Sequence, residues 1–256
     1  MTCTCGDCEP EVSRRSFLAK AGLAASSMAL SLLHSSDVSA LARPGITVAK
    51  GLDIYPRSEW GSKLPAKPGL KPEKSVLFLL LHHTAASNTY KQNQVAQQIQ
   101  SIYQFHTGSQ KKWPDVCYNF FVDRFGGVWE GRSGSLAGPV EADATGGSQG
   151  FAQLVCLLGN FETARPPQVM IDSCGKVLGW LAHRYNIDVD QTKTLQFVSR
   201  GSNKWKAGSK VVARPISGHR DMSATACPGK FVYPRLEVEI PTIAATFKKQ
   251  ITKSNT

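Results

Sequence analysis

The sequence predicts an α/β domain with a mixed central β-sheet flanked by helices. Three observations predict it. Residues 76–81 (Val76-Leu77-Phe78-Leu79-Leu80-Leu81) are a short continuous apolar run, the pattern of a strand covered on both faces. Val95, Ile99, Ile102 and Phe105 recur at spacings of four and three, and Val169, Ser173, Val177 and Leu181 at spacings of four, which are helix faces. Between them, an aromatic-rich stretch from Cys117 to Asp123 meets a Phe125-Gly126-Gly127 turn and a returning Val128-Trp129-Glu130 segment, the signature of a β-hairpin.

Residues 1–42 are expected to be a twin-arginine export signal. They carry Ser13-Arg14-Arg15-Ser16-Phe17-Leu18, a modest apolar run from Ala21 to Leu33, and a small-x-small site at Ala40-Leu41-Ala42. The run is too short to span a bilayer comfortably, so no integral membrane anchor is expected after cleavage near Ala42. The expected location is periplasmic, cell-wall associated or secreted. An uncleaved N-terminal anchor is the competing reading. Of the 30 basic and 19 acidic residues, cleavage removes Arg14, Arg15, Lys20 and Asp7, Glu9, Glu11, Asp37, leaving a formal charge of +12. A basic surface favours polyanions, which for an exported protein are wall polymers and lipid head groups. No nucleic acid partner is expected, because no recognition-helix or aromatic-basic RNA motif is present.

Three of the seven cysteines, Cys3, Cys5 and Cys8, fall in the leader. Of the remaining four, which could pair in an oxidising compartment, Cys156 and Cys174 read as small buried hydrophobes. Along the rest of the chain, residues 43–54 are expected to be a linker. The apolar run then ends at His82-His83-Thr84. The first helix ends near Gly108, and residues 133–150, rich in Gly, Ser and Ala, read as a long loop. Residues 154–158 form another buried strand, and a helix covers about 168–185. Residues 194–213 are polar and Gly-rich without a clear period. Ile216-Ser217-Gly218 leads into His219, a last helix follows Pro234, and residues 248–256 are expected to be a tail. Nothing demands more than a monomer.

The chemistry concentrates in Gly218-His219-Arg220-Asp221…Thr225-Ala226-Cys227-Pro228-Gly229. A His and a Cys eight positions apart across a loop can face one metal, and zinc accepts both donor types. Pro228 and Gly229 turn the chain beyond the thiol. Alone, such a pair is commonly coincidence. The His82-His83 pair, at the end of a buried strand where α/β folds place functional groups, supplies a third ligand. Two His and one Cys leave one coordination position open, the arrangement of catalytic zinc, which acidifies water and polarises carbonyls.

These motifs, with Arg57-Ser58-Glu59-Trp60-Gly61, Leu81-His82-His83-Thr84-Ala85, Cys117-Tyr118-Asn119-Phe120, Val128-Trp129-Glu130-Gly131-Arg132 and Leu158-Gly159-Asn160-Phe161, occur in order over about residues 55–240. Together they resemble the peptidoglycan recognition protein family and its relatives, the phage-lysozyme-type N-acetylmuramoyl-L-alanine amidases. The resemblance implies that fold over residues 55–247. It also implies a Zn2+ site of His82, His219 and Cys227, and peptidoglycan (a glycan strand with its stem peptide) as the partner. It implies Tyr118 and Thr225 as catalytic groups, with His83 close to the metal, touching substrate or a group behind the ligands. His106, which follows the first helix face, is read as lining the groove and binding substrate, with a core or helix-capping histidine as the equal alternative. Glu130 and Asp221 read as structural on the same grounds. One departure is Ala137-Gly138-Pro139-Val140-Glu141-Ala142, where the family often has Gly-x-His-Ala after the hairpin.

The resulting expectation is a zinc amidase that cuts the bond between N-acetylmuramic acid and L-alanine. The competing expectations are a non-catalytic peptidoglycan binder, or a structural zinc for which His83 is the obvious fourth ligand.

Overall fold

The computed structural model describes residues 45–143 and 150–254. The expected export signal lies outside the described residues, as do Cys3, Cys5 and Cys8. A seven-stranded mixed sheet runs in the order β1-β2-β5-β4-β6-β3-β9. Its strands are β1 (Ile46–Ala49), β2 (Leu52–Tyr55), β3 (Phe78–His83), β4 (Phe120–Val122), β5 (Val128–Glu130), β6 (Ala152–Leu157) and β9 (Ile216–Gly218). A separate antiparallel hairpin joins β7 (Leu195–Val198) to β8 (Lys210–Ala213). The helices are α1 (Ser58–Gly61), α2 (Val95–Thr107), α3 (Gln168–Arg184), α4 (His219–Met222) and α5 (Glu239–Ser254).

All six residues of β3 are buried, and it pairs in parallel with β6 on one side and β9 on the other. Side chains alternate across a strand, so β3 feeds two cores. Leu79 and Leu81 join Phe120, Val122, Val155 and Leu157 against α3 and α5. Phe78 and Leu80 join Tyr118, Phe121, Leu154 and Cys156 against α2 and the β7–β8 hairpin. The continuous apolar run is therefore required by burial on both faces.

Three expectations are corrected. Residues 43–54 were expected as a linker, but residues 46–55 form β1 and β2 at the sheet edge. There Ile54 pairs with Val128 of β5, and Leu52 and Ile54 are buried on either side of exposed Asp53. Residues 248–256 were expected as a tail, but α5 continues to Ser254, with Ile251 still buried. The polar stretch 194–213 contains β7 and β8. Their inward residues Phe197, Val211 and Ala213 are buried, while Val198 and Val212 face solvent.

The opening motif acts as a brace. Arg57 pairs with buried Asp115 at 2.9 Å and donates to the Gly131 carbonyl at 2.8 Å, while the Trp60 indole donates to the Glu130 carbonyl at 2.7 Å. Across the sheet, α3 and α5 pack closely. A β-carbon at Gly179 would lie 2.5 Å from the Ala244 carbonyl oxygen, a backbone atom that cannot swing aside. Gly179→Ala should therefore cost about 1–3 kcal/mol of stability by overpacking. Urea denaturation checks this; an unchanged midpoint would contradict the close approach.

Candidate metal centre

The register of parallel strands builds the centre. Leu81 of β3 lies opposite Gly218 of β9. The next residue on each chain is a histidine, so His82 and His219 emerge side by side at the C-terminal strand ends, with ring centroids 4.4 Å apart. α4 begins at His219, and the chain loops back to bring the Cys227 thiol to 3.7 Å from His82 Nδ1. One ligand atom each from His82, His219 and Cys227 all fall within 4.8 Å of one another, and all three residues are buried. His82 and His83 occupy the last two positions of β3 rather than positions beyond it.

The local chemistry fits a metal. Burial, reinforced by His219 and His83, holds the His82 imidazole well below the usual histidine range. Burial, with a smaller effect of His83, pushes His219 down to about 3. Both rings are therefore neutral and have a lone pair to give. Nε2 of each ring is buried without a hydrogen-bond partner, a costly state that calls for a counterpart. The backbone N–H of His83 donates to Cys227 Sγ at 3.3 Å. Two neutral imidazoles and a cysteine sulfur are donor types that zinc accepts.

Alternation along β3 separates the two adjacent histidines. His82 points to the α2 face, where the Tyr118 ring lies 5.1 Å away between centroids. His83 points to the opposite face, where its Nδ1 accepts the Phe161 N–H at 3.1 Å and its ring lies 6.1 Å from Phe161. His83 thus supports the turn at residues 158–161 from the face of β3 opposite His82. That turn is also latched to the end of β3 by Thr84 Oγ1, which accepts the Gly159 N–H at 2.9 Å.

His106 is buried beside Tyr118. Its Nδ1 accepts the Cys117 N–H at 3.2 Å, and its ring sits 6.0 Å from Tyr118 and 5.0 Å from Trp113. Thr225 is half-buried, and its Oγ1 accepts the Cys227 N–H at 3.2 Å, which fixes the loop ahead of the thiol. Both carboxylates near the motifs are structural. Glu130 accepts the Arg57 and Leu136 N–H groups, each at 3.0 Å. Asp221 accepts the Gly218 N–H at 2.8 Å and the Tyr233 hydroxyl at 2.5 Å. Cys117, Cys156, Cys174 and Cys227 are all buried.

The sequence reading missed residues 202–205, which contact the loop between His219 and Cys227. Leu195-x-Phe197 and Val211-x-Ala213, two short alternations, were the available signal for the hairpin that carries them.

Fold and site together define a class: a mixed-sheet α/β domain with a His-His-Cys centre at the ends of parallel strands. The chain belongs to the N-acetylmuramoyl-L-alanine amidase family, whose model matches residues 72–230. It is similar to peptidoglycan-recognition protein SC1a of Drosophila melanogaster, 26% identical over 188 residues that cover 73% of this chain and 85% of the relative. It is also similar to peptidoglycan recognition protein 1 of Mus musculus, 26% identical over 187 residues covering 70% and 84%. Among solved structures, Drosophila peptidoglycan recognition protein SD shares the fold with a TM-score of 0.57 at 20% identity, covering 73% of this chain and 94% of that one. The ectodomain complex of recognition proteins LCa and LCx, which holds tracheal cytotoxin, gives 0.57 at 23% identity, covering 73% and 96%.

The opposed histidines yield a direct test. His83→Ala should keep one equivalent of bound zinc while losing about 1–3 kcal/mol of stability, because the Phe161 N–H is left buried and unpaired. His82→Ala should lose the metal. Metal analysis after gel filtration, with thermal melts, checks both; loss of zinc in His83→Ala would contradict the assignment.

Proposed function

We propose that this protein is a zinc-dependent N-acetylmuramoyl-L-alanine amidase, cutting the amide between the lactyl group of N-acetylmuramic acid and L-alanine of the stem peptide. The observation that carries the reading is the buried His82, His219 and Cys227 cluster, with its ligand atoms within 4.8 Å. Family membership supports the substrate class, as does a fold neighbour that holds tracheal cytotoxin. The signal features of residues 1–42 support action outside the cytoplasm, on the wall. No helix among the described residues is long and apolar enough to cross a membrane.

His82, His219 and Cys227 would hold zinc, which when bound supplies Lewis acidity that polarises an amide carbonyl and acidifies water. The chain's own residues do the rest. The His83 N–H orients the Cys227 sulfur and would stabilise it as thiolate once metal is bound, and burial keeps both imidazoles neutral. Tyr118, packed beside His82, offers a phenol proton to the oxygen of the scissile amide as it gains charge. Thr225 uses its oxygen as an acceptor toward the Cys227 N–H, so its own hydrogen remains available to the same oxyanion. Nothing in the site assigns a proton-accepting role to Glu130 or Asp221, whose oxygens are engaged by backbone and tyrosine donors.

Cys227→Ala should lose bound zinc and wall-lytic activity together, measured by metal analysis and turbidity of purified wall. Full lysis by a zinc-free Cys227→Ala protein would sink the reading. Tyr118→Phe should keep its zinc and lower kcat about a hundredfold, the scale of one oxyanion donor. Unchanged turnover would remove Tyr118 from the chemistry.

A further inference from the structure

α4 is a helix of four residues, His219–Met222, and it starts on a metal ligand. So short a helix cannot satisfy its own last carbonyls. Left to water, the residues that connect His219 to Cys227 would be free to shift, and the two ligands with them. In this protein those carbonyls are met from outside by the tip of the β7–β8 hairpin. Lys204 Nζ donates to the Arg220 carbonyl at 2.7 Å, and the Trp205 indole N–H donates to the Asp221 carbonyl at 2.9 Å. Ser202 Oγ donates to the Met222 carbonyl at 2.8 Å. Asn203 contacts Ala224 twice, accepting its N–H at 2.8 Å and donating to its carbonyl at 3.4 Å. Four consecutive residues of the hairpin tip thus engage four of the five residues 220–224.

The tip is itself fixed. Ser202 Oγ accepts the N–H groups of Lys204 at 3.2 Å and Trp205 at 3.0 Å, and the Ser202 N–H donates to the Trp205 carbonyl at 2.8 Å. The strands behind it are anchored by Phe197, Val211 and Ala213 in the same core that contains Tyr118. A rigid path therefore runs from the core through the hairpin to the backbone between two ligands. The other end of the loop is held by different groups. The Arg220 N–H donates to the Cys227 carbonyl at 2.9 Å, and Thr225 receives the Cys227 N–H.

We propose that Ser202, Asn203 and Trp205 are positioning residues for the metal centre: the hairpin tip clamps the backbone between His219 and Cys227 and so sets the spacing of the two ligands. The inference rests on the zinc reading above. Outer groups that orient ligands typically contribute 10–100-fold to metal affinity. Lys204 adds a positive charge at the end of α4, but it is exposed and contributes less.

The test uses the full mature chain and Zn2+ itself, with affinity measured by competition against a chromophoric chelator. Trp205→Phe keeps the ring and removes only the indole donor. The double variant Ser202→Ala with Asn203→Ala removes three of the contacts. Both should bind zinc about tenfold more weakly. Both should also alter the thiolate-to-metal charge-transfer band of the Co2+-substituted protein, a readout that a merely structural role would not move. Lys210→Ala, on the exposed face of the same hairpin, should match the wild type in affinity and spectrum.

Wild-type affinity and spectrum in both clamp variants would overturn the proposal, whatever their melting temperatures. So would an equal loss in Lys210→Ala, which would mark a general effect of loosening the hairpin. Failure of the wild type to bind zinc at Cys227 would instead overturn the underlying reading, so the two failures are distinguishable.

Discussion

The parallel pairing of β3 with β9 is the constraint on which the centre depends. With Leu81 opposite Gly218, the strand ends present His82 and His219 at the same level of the sheet. A slip of one residue would turn His82 to the α3–α5 face, because side-chain direction alternates along a strand. Shape complementarity holds the register, with Leu79 and Leu81 packed into one core and Phe78 and Leu80 into the other. Packing energy spread over the whole sheet is thereby converted into the separation of two imidazoles.

The third ligand cannot come from the sheet and arrives on a loop, where precision has to be supplied locally. Asp221 ties α4 back to the Gly218 N–H and to Tyr233, Thr225 receives the Cys227 N–H, and the hairpin tip meets the carbonyls of residues 220–222. Polar side chains that look like candidate bases in the sequence are used here to hold backbone. Glu130 and Asp221, despite their position within conspicuous motifs, accept backbone N–H groups and fix the segments around them.

Much of this was legible in the sequence, for identifiable reasons. A strand buried on both faces leaves an unbroken apolar run, and α2 and α3 leave stripes at helical spacing. The clustering of His82, His219 and Cys227 was legible because such residue types are few and their motif partners occur in order. The edge strands β1 and β2 were not, since Leu52-Asp53-Ile54 is one period of alternation and Ile46 is half-exposed. The β7–β8 hairpin was obscured in the same way, by short strands whose outer faces carry Val198 and Val212 beside Gln196 and Lys210. The alternation of β3 already places His83 on the face opposite His82, because adjacent residues of one strand cannot share a face. For His106, the Cys117 N–H that its ring accepts is a tertiary contact with no local trace.

The central claim is that this centre hydrolyses the muramyl–alanine amide, and mass spectrometry of wall fragments after incubation with the zinc-loaded protein tests it most directly. The account predicts stem peptides with a free L-alanine amino terminus, together with glycan strands whose lactyl groups end in a carboxylate. Fragments that are bound by the protein yet recovered with the amide intact would contradict it and leave a binding protein in its place.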